Sequence, residues 1–324
     1  MPQPMHYDEL DLAAIQSTGR LDANESIFFA RELEYVKSKA YDVKYPANNA
    51  LALFPVSTEA DAGADYISYE SYDMIGMAKI IANYADDLPR ADVKGNLNSV
   101  KVFSVGVSYG YSTKDIRRSR MAGKNLPTRK AEAARRANDN TVNRIAFHGD
   151  AEHGIVGILD NPNISKYTIP ATGTATGTAS GTEWSSKTAQ QILDDMNNAV
   201  SSIVDSTNGV EIPDTILLPI DQYNYIAATL LPDSGGFTIL SFFLKNNPYI
   251  KTIKPVHELK GAGDGDDVML IYRNSADALT LELPLPFNQL APQNKNLEFV
   301  VPCESSTAGI IVYYPLSVCL ASGI

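Results

Sequence analysis

Two of the chain's four histidines, His148 and His153, share the stretch FHGDAEHGIVGILDNPN (147–163) with Asp150, Glu152 and glycines at 149, 154 and 157. Imidazoles and carboxylates this close together are the material of a zinc site or an acid–base pair. The spacing argues against both. Helical zinc motifs set their histidines four apart so that both point one way. Five apart on a helix they diverge by about 140°, and Gly149 interrupts any helix between them. A metal-dependent hydrolase centred on His148 and His153 needs a third ligand that the sequence does not offer.

Other candidates are weaker. GAGDGDDV (261–268) has the acidic look of a calcium loop but lacks the glutamate that closes one, and reads as a strand-joining turn. Cys303 and Cys319 lie outside any C-x-x-C pair and read as reduced, partly buried thiols. Asp86–Asp87 and Asp194–Asp195 read as solvated pairs in a loop and a helix. There is no phosphate-binding loop, dinucleotide fingerprint or nucleophile elbow. The expectation is no catalytic residue, no cofactor and no metal. Gly149, Gly154 and Gly157 then take the more economical role of ending a helix and reversing the backbone.

That helix is the longest periodic segment. Pro127 can open it, and Ala134, Ala137, Thr141, Val142, Ile145 and Ala146 recur at three- and four-residue spacing, which predicts a helix over 127–148. Ser112 and Asp115 form a capping-box pattern for a shorter helix near 113–122. Before it, DYISYESYDM and VKVFSVGVSYGYS carry strand patterning, with Val105, Val107, Tyr109 and Tyr111 alternating with small residues. The polar, turn-rich YADDLPRADVKGNLNS between them predicts an extended hairpin or loop.

Residues 1–45 read as an arm with a helical piece near 25–37 and little means of folding alone. PATGTATGTASGTEW (170–184) reads as an exposed flexible loop. Ile192, Met196, Val200, Ile203 and Val204 line one face of an amphipathic helix at 187–206. Alternating strands and helices over 187–273 predict a mixed sheet, and Pro284 and Pro286 mark a bend before the last strands.

The 324 residues, 44% hydrophobic and 20% charged, suit a folded globular chain. The net charge of −11 speaks against a general nucleic-acid binder unless basic charge is concentrated locally. It is concentrated. Between 114 and 136, Lys114, Arg117, Arg118, Arg120, Lys124, Arg129, Lys130, Arg135 and Arg136 face only Asp115 and Glu132, giving +7 locally against −18 elsewhere. Such a face can meet a polyanion such as DNA or pair with neighbouring subunits, and the sequence leaves both open. No run of about eighteen apolar residues is present, so no membrane-spanning helix is expected. The N-terminus lacks a signal-peptide pattern, which predicts a cytoplasmic product.

The order of parts carries more than any motif: arm, long strand-rich loop, basic long helix, the turn Gly149-Asp150-Ala151-Glu152-His153-Gly154-Ile155-Val156-Gly157-Ile158, mixed sheet, late strands. With DIRRSRMAG preceding the long helix, it resembles the major capsid protein of tailed bacteriophages, the Hong Kong 97-type fold, in the branch once listed as a domain of unknown function and related to encapsulins. The resemblance implies an α+β, non-enzymatic shell protein with several regions. These are an arm (1–45), an extended loop (46–111) and a peripheral domain (112–206) with a spine helix at 127–148. An axial domain (207–275), return strands (276–302) and a C-terminal axial strand (303–324) follow. It further implies hexamers and pentamers of an icosahedral shell around packaged double-stranded DNA, with assembly in the bacterial cytoplasm. The short arm implies either a separate scaffold or a chain that is already mature; portal and decoration proteins are further partners that the resemblance allows. An encapsulin-type compartment, enclosing enzymes instead of DNA, shares the fold.

Overall fold

Three runs, TILL, VMLIY and VCLAS, are apolar at nearly every position. A strand can carry such a run only if both of its faces are covered. All three become strands of one five-stranded sheet in the computed structural model, which describes residues 48–75, 90–122, 126–173, 181–232, 234–263 and 265–324. The arm at 1–45, Lys124 and residues 174–180 of the Gly/Thr loop lie outside the described residues.

In chain order the described helices are α1 (Ala50–Leu53), α2 (Thr113–Ala122), α3 (Leu126–His148), α4 (Ala189–Ser206), α5 (Ile220–Ala228) and α6 (Ile239–Asn246). The strands are β1 (Val56–Ser57), β2 (Tyr66–Ile75), β3 (Asp92–Lys101), β4 (Phe103–Ser112), β5 (Ser165–Thr168), β6 (Thr215–Leu218) and β7 (Thr252–Pro255). They continue with β8 (Val268–Tyr272), β9 (Leu279–Glu282), β10 (Leu285–Gln289), β11 (Gln293–Lys295), β12 (Glu298–Thr307), β13 (Gly309–Val312) and β14 (Val318–Ser322).

The central sheet has the order β5-β14-β8-β6-β7. Because strand side chains alternate, it is a wall between two cores. Val268, Leu270 and Tyr272 of β8, with Val318 and Leu320 of β14, pack with Val142, Ala146 and Phe147 of α3 and with α1, β9 and β13. Met269, Ile271, Cys319 and Ala321 point the other way, onto Ile192, Met196, Ala199, Val200 and Ile203 of α4 and Phe243 of α6. Leu270 and Ile271 are fully buried on opposite faces. Leu270→Ala and Ile271→Ala should therefore each lower stability by about 2–5 kcal/mol, read as a drop in denaturant midpoint. A loss at only one of them would contradict the two-core arrangement.

Two smaller sheets complete the body. One has the order β1-β9-β13. In the other, β12 carries β10 and β11 along one edge and β4 along the other, ten residues in register from Glu298↔Ser112 to Thr307↔Phe103. Strands β2 and β3 stand apart as a hairpin, paired from Tyr66↔Lys101 to Ile75↔Asp92.

Four readings of the sequence change. The polar DVKGNLNSVK, expected as a connection, is the second hairpin strand, and the alternating FSVGVSYGYS pairs with β12 in the body. The alternation was correct but marks a strand with one side on a core; among the described residues β2 and β3 add no side chain to a core. The boundary at 206/207 cuts through one core, since α4 and β5 pack on the same sheet as 215–272. The C-terminal strand is two strands in different sheets, β13 and β14, separated by a turn of 3₁₀ helix at Pro315–Ser317. On α3, Ala137 is exposed and the buried stripe runs through Ala134, Asn138, Val142, Asn143, Ile145 and Ala146.

The two asparagines are buried because each is satisfied. Ser305 Oγ donates to Asn138 Oδ1 at 2.7 Å, and Asn143 Oδ1 accepts from the Ala50 amide at 3.0 Å while its amide donates to Glu258. They fasten the long helix to β12 and to α1.

Candidate assembly surfaces

The glycine turn follows α3. Gly149 has φ +66° and its amide still donates to Ile145 O at 2.9 Å, closing the helix. Asp150 and Ile155 then exchange two backbone hydrogen bonds of 2.8 and 2.9 Å, a one-rung hairpin turned through Gly154 at φ +71°. The returning chain lies against the helix end: Ile158 N and Leu159 N donate to Ala146 O and Phe147 O, both at 3.0 Å. This forces backbone on backbone at Gly149 and Gly157. A β-carbon on Gly149 would come within 2.5 Å of Gly157 N and closer still to Ile155 O, and one on Gly157 would overlap Gly149 N, Phe147 O and His148 C.

The two histidines do not share a site. His148 is exposed on the last helical turn, whereas His153 sits edge-on to Phe103 (5.4 Å) at the start of β4. His153 Nδ1 is 3.2 Å from Asp150, which also takes Arg144 at 3.7 Å. Burial pushes the Asp150 carboxyl up, but bonds from His153 and the Glu152 amide, with Arg144 nearby, outweigh it and hold the carboxyl below its usual range. Asp150, Glu152 and His153 place ligand atoms within 4.8 Å of one another. Two of the three are exposed and Asp150 is already held by His153 and Arg144, so the cluster locks the turn.

The basic region divides. The capping box on α2 forms as expected: Asp115 N donates to Ser112 Oγ at 3.1 Å, and Ser112 N to Asp115 Oδ2 at 3.3 Å. The bonds from Ser112 hold the Asp115 carboxyl below its usual range. Lys114, Arg117 and Arg118 are exposed on this helix. The side chain of Arg120 lies outside the described residues. On α3, Lys130 Nζ donates to Gly110 O at 2.5 Å, tying the helix to β4, and Arg135 lies 3.9 Å from Asp139 one turn on. Arg129 is exposed and Arg136 partly buried. Lys130 is thus a structural cation, and the outward charge lies on α2 and, at Arg129 and Arg135, on α3.

The hairpin is the least self-sufficient element. Tyr66, Tyr72 and Met74 of β2 lie on one face with Val93 and Leu97 of β3, by cross-strand register. All five are more than half exposed, Met74 at 84%. Among the described residues it is the root that is fixed, by Val102 N donating to Asp65 O at 2.9 Å and by Tyr69 edge-on to Tyr313 at 4.9 Å.

Between root and body opens a cleft of about 1170 Å³, lined by Tyr69–Tyr72 on the hairpin side and by Glu59, Val210, Glu211, Arg273, Asp277 and Tyr314 among others on the body side. Arg273 Nε is 3.3 Å from Glu211 Oε2, yet both atoms are buried without a hydrogen bond. The sequence reading missed this pair; its halves are 62 positions apart and no local pattern joins them.

It also misread Asp195. Asp194 is solvated, but Asp195 is 2% exposed and accepts from Lys187 Nζ at 2.7 Å; the same ammonium donates to Pro170 O at 2.8 Å. Burial pushes the Asp195 carboxyl up, opposed by Lys187. Cys303 and Cys319 are free and buried, and burial pushes the Cys319 thiol up to about 11, which leaves it unreactive at neutral pH. No helix among the described residues is long and apolar enough to cross a membrane.

Comparison with known proteins agrees with this architecture. The capsid of Myoviridae phage XM1 superposes with a TM-score of 0.78 at 18% identity, covering 92% of this chain and 99% of that one. The capsid of a native GTA particle gives 0.62 at 9% identity over 94% and 98% of the two chains. Mycobacterium phage Bobi gives 0.60 at 13% over 92% and 99%. These likenesses establish the α+β capsid fold of the Hong Kong 97 type. No curated protein matches. The model of the family described as major capsid protein matches residues 76–324, more than three quarters of the sequence. The chain belongs to the major capsid protein family.

Proposed function

We propose that the chain is the shell subunit of a tailed bacteriophage, assembling with copies of itself into a closed icosahedral shell around packaged double-stranded DNA, and that it performs no catalysis. One observation carries the assembly reading: Tyr66, Tyr72, Met74, Val93 and Leu97 share one face of the hairpin, and among the described residues that face stays more than half exposed at each of them. A two-stranded ribbon is marginal alone in water, and exposed apolar patches on soluble chains mark contact surfaces. A neighbouring copy covers it, and symmetry repeats that contact around the shell.

In this reading β2–β3 is the extended loop and α3 the spine helix. The central sheet with α5 and α6 serves as the axial domain, and residues 1–45 reach a neighbour. Gly149, Gly154 and Gly157 are the joint between spine and axial sheet. Hexamers and pentamers build the shell, which forms in the host cytoplasm with separate scaffold and portal proteins. The same fold around enzyme cargo is the competing assignment; the phage capsid likenesses favour DNA.

The test follows from the root geometry. Because residues 65 and 102 are hydrogen-bonded neighbours, a short Gly-Ser linker can replace 66–101 without stretching the body. The full chain, expressed with the scaffold protein, should give shells by negative-stain microscopy. The hairpin-less chain should unfold within a few degrees of the full chain yet give only monomers. Shells of normal size from the hairpin-less chain would overturn the assignment.

A further inference from the structure

We propose that the acidic cleft at the hairpin root receives the basic helix α2 of a second copy, so that the exposed cations of this helix are subunit contacts and do not face DNA. The inference rests on the shell-subunit reading and names the contact that organises it.

The cleft has the chemistry of a cation receptor. Its lining carries Glu59, Glu70, Glu211 and Asp277 against Arg273 alone. Its wall holds Glu211, 7% exposed, whose Oε2 is buried without a hydrogen bond although Arg273 lies 3.3 Å away. Glu211 is thus held by Arg273, and the exposed carboxylates of Glu59 and Asp277 are the ones open to an incoming guanidinium, whose planar fork carboxylates accept best. Exposed Val210 and Tyr314 at the lining give the aliphatic stems of such side chains something to cover.

The occupant must be basic, and only one part of this sequence is. Residues 1–47 carry eight acids and five bases, and everything outside 114–136 sums to −18. Within the basic stretch, Lys130 is engaged inside the subunit, while Arg135 on α3 is exposed beside Asp139. Helix α2 presents Lys114, Arg117 and Arg118 to solvent, beside Met121, which is 90% exposed. Two turns of helix form a rod ~11 Å long and ~10 Å across, roughly 900 Å³, within the size of the cleft. The ten residues of β4 lie between the hairpin root and α2, ~30 Å of extended chain, so the helix that enters the cleft comes from another copy.

Charge exchange tests this. Glu59, Asp277, Arg117 and Arg118 are all exposed, so their substitution leaves the fold intact, which circular dichroism and the melting temperature verify. Full-length R117E/R118E and E59K/D277K, each expressed with scaffold, should each lower shell yield at least tenfold. The quadruple variant should recover to within about threefold of the unaltered protein. The proposal is overturned if R117E/R118E assembles normally, and equally if it assembles normally but retains less DNA, which would place α2 against the genome. It is also overturned if the quadruple variant assembles no better than either double. Failure of the unaltered chain to form shells would defeat the shell-subunit reading itself, an outcome distinct from all of these.

Discussion

Replacing Gly157 with alanine is expected to abolish folding of the subunit, leaving insoluble chain and no cooperative unfolding transition in what stays soluble. The new methyl group meets backbone on three sides, at Gly149 N, Phe147 O and His148 C. Backbone cannot rotate aside as a side chain does, so relief requires pulling the 155–159 strand off the end of α3. That breaks the bonds from Ile158 and Leu159 and uncovers Phe147 and Ile158, both essentially buried. Losses of this kind exceed about 4 kcal/mol, a large share of the roughly 5–15 kcal/mol that hold a domain folded. Gly149→Ala should fail for the same reason, with the strain of φ +66° added. Gly154→Ala is the control. It shares the left-handed conformation but has open space around the added carbon, so it should cost only about 1–2 kcal/mol. Equal, mild effects at all three positions by chemical denaturation would mean that backbone contact does not hold this joint together.

The stretch that contains these glycines shows what sequence could and could not convey. Helix-ending glycines announce themselves locally, because the demand for positive φ arises from a few adjacent residues. That Gly157 is glycine for want of space, at ordinary φ, depends on a chain segment eight residues away. The capping box at Ser112 was legible for the same local reason. The hairpin was not, since DVKGNLNSVK is polar and lacks strand alternation; its pairing is set by β2, and its apolar positions await a neighbour. Pairing of β4 with β12 spans nearly two hundred residues, and nothing local in FSVGVSYGYS selects that partner over β2. The cleft was invisible in the sequence because Glu59, Glu211, Arg273 and Asp277 come from three separated segments. Asp195 was legible and was misread. With Ile192, Met196 and Ala199 it follows the spacing of the buried stripe, and an acid in that stripe signals a buried partner.

That partner makes the second large prediction. Lys187→Met should destabilise the subunit by about 3–5 kcal/mol, because it leaves the Asp195 carboxylate buried without its cation and Pro170 O without its donor. The effect should depend on pH in a definite sense. Burial already raises the Asp195 carboxyl, and removing Lys187 takes away the opposing charge. The folded variant therefore holds a proton that the unfolded chain, with a carboxyl near 3.9, releases. Stability then falls as pH rises through the raised folded value, so the deficit relative to the unaltered protein should be largest near pH 7 and shrink toward pH 4. Lys187→Met with Asp195→Leu, an apolar pair of similar volume, should recover most of the loss at every pH, because the cost lies in an unpaired buried charge and an ion pair of this kind adds little over packed hydrocarbon. The recovery separates pairing from packing: a double variant as unstable as Lys187→Met alone, or a single variant whose deficit is the same at pH 4 and pH 7, would mean that Lys187 acts through its buried stem and not through its charge.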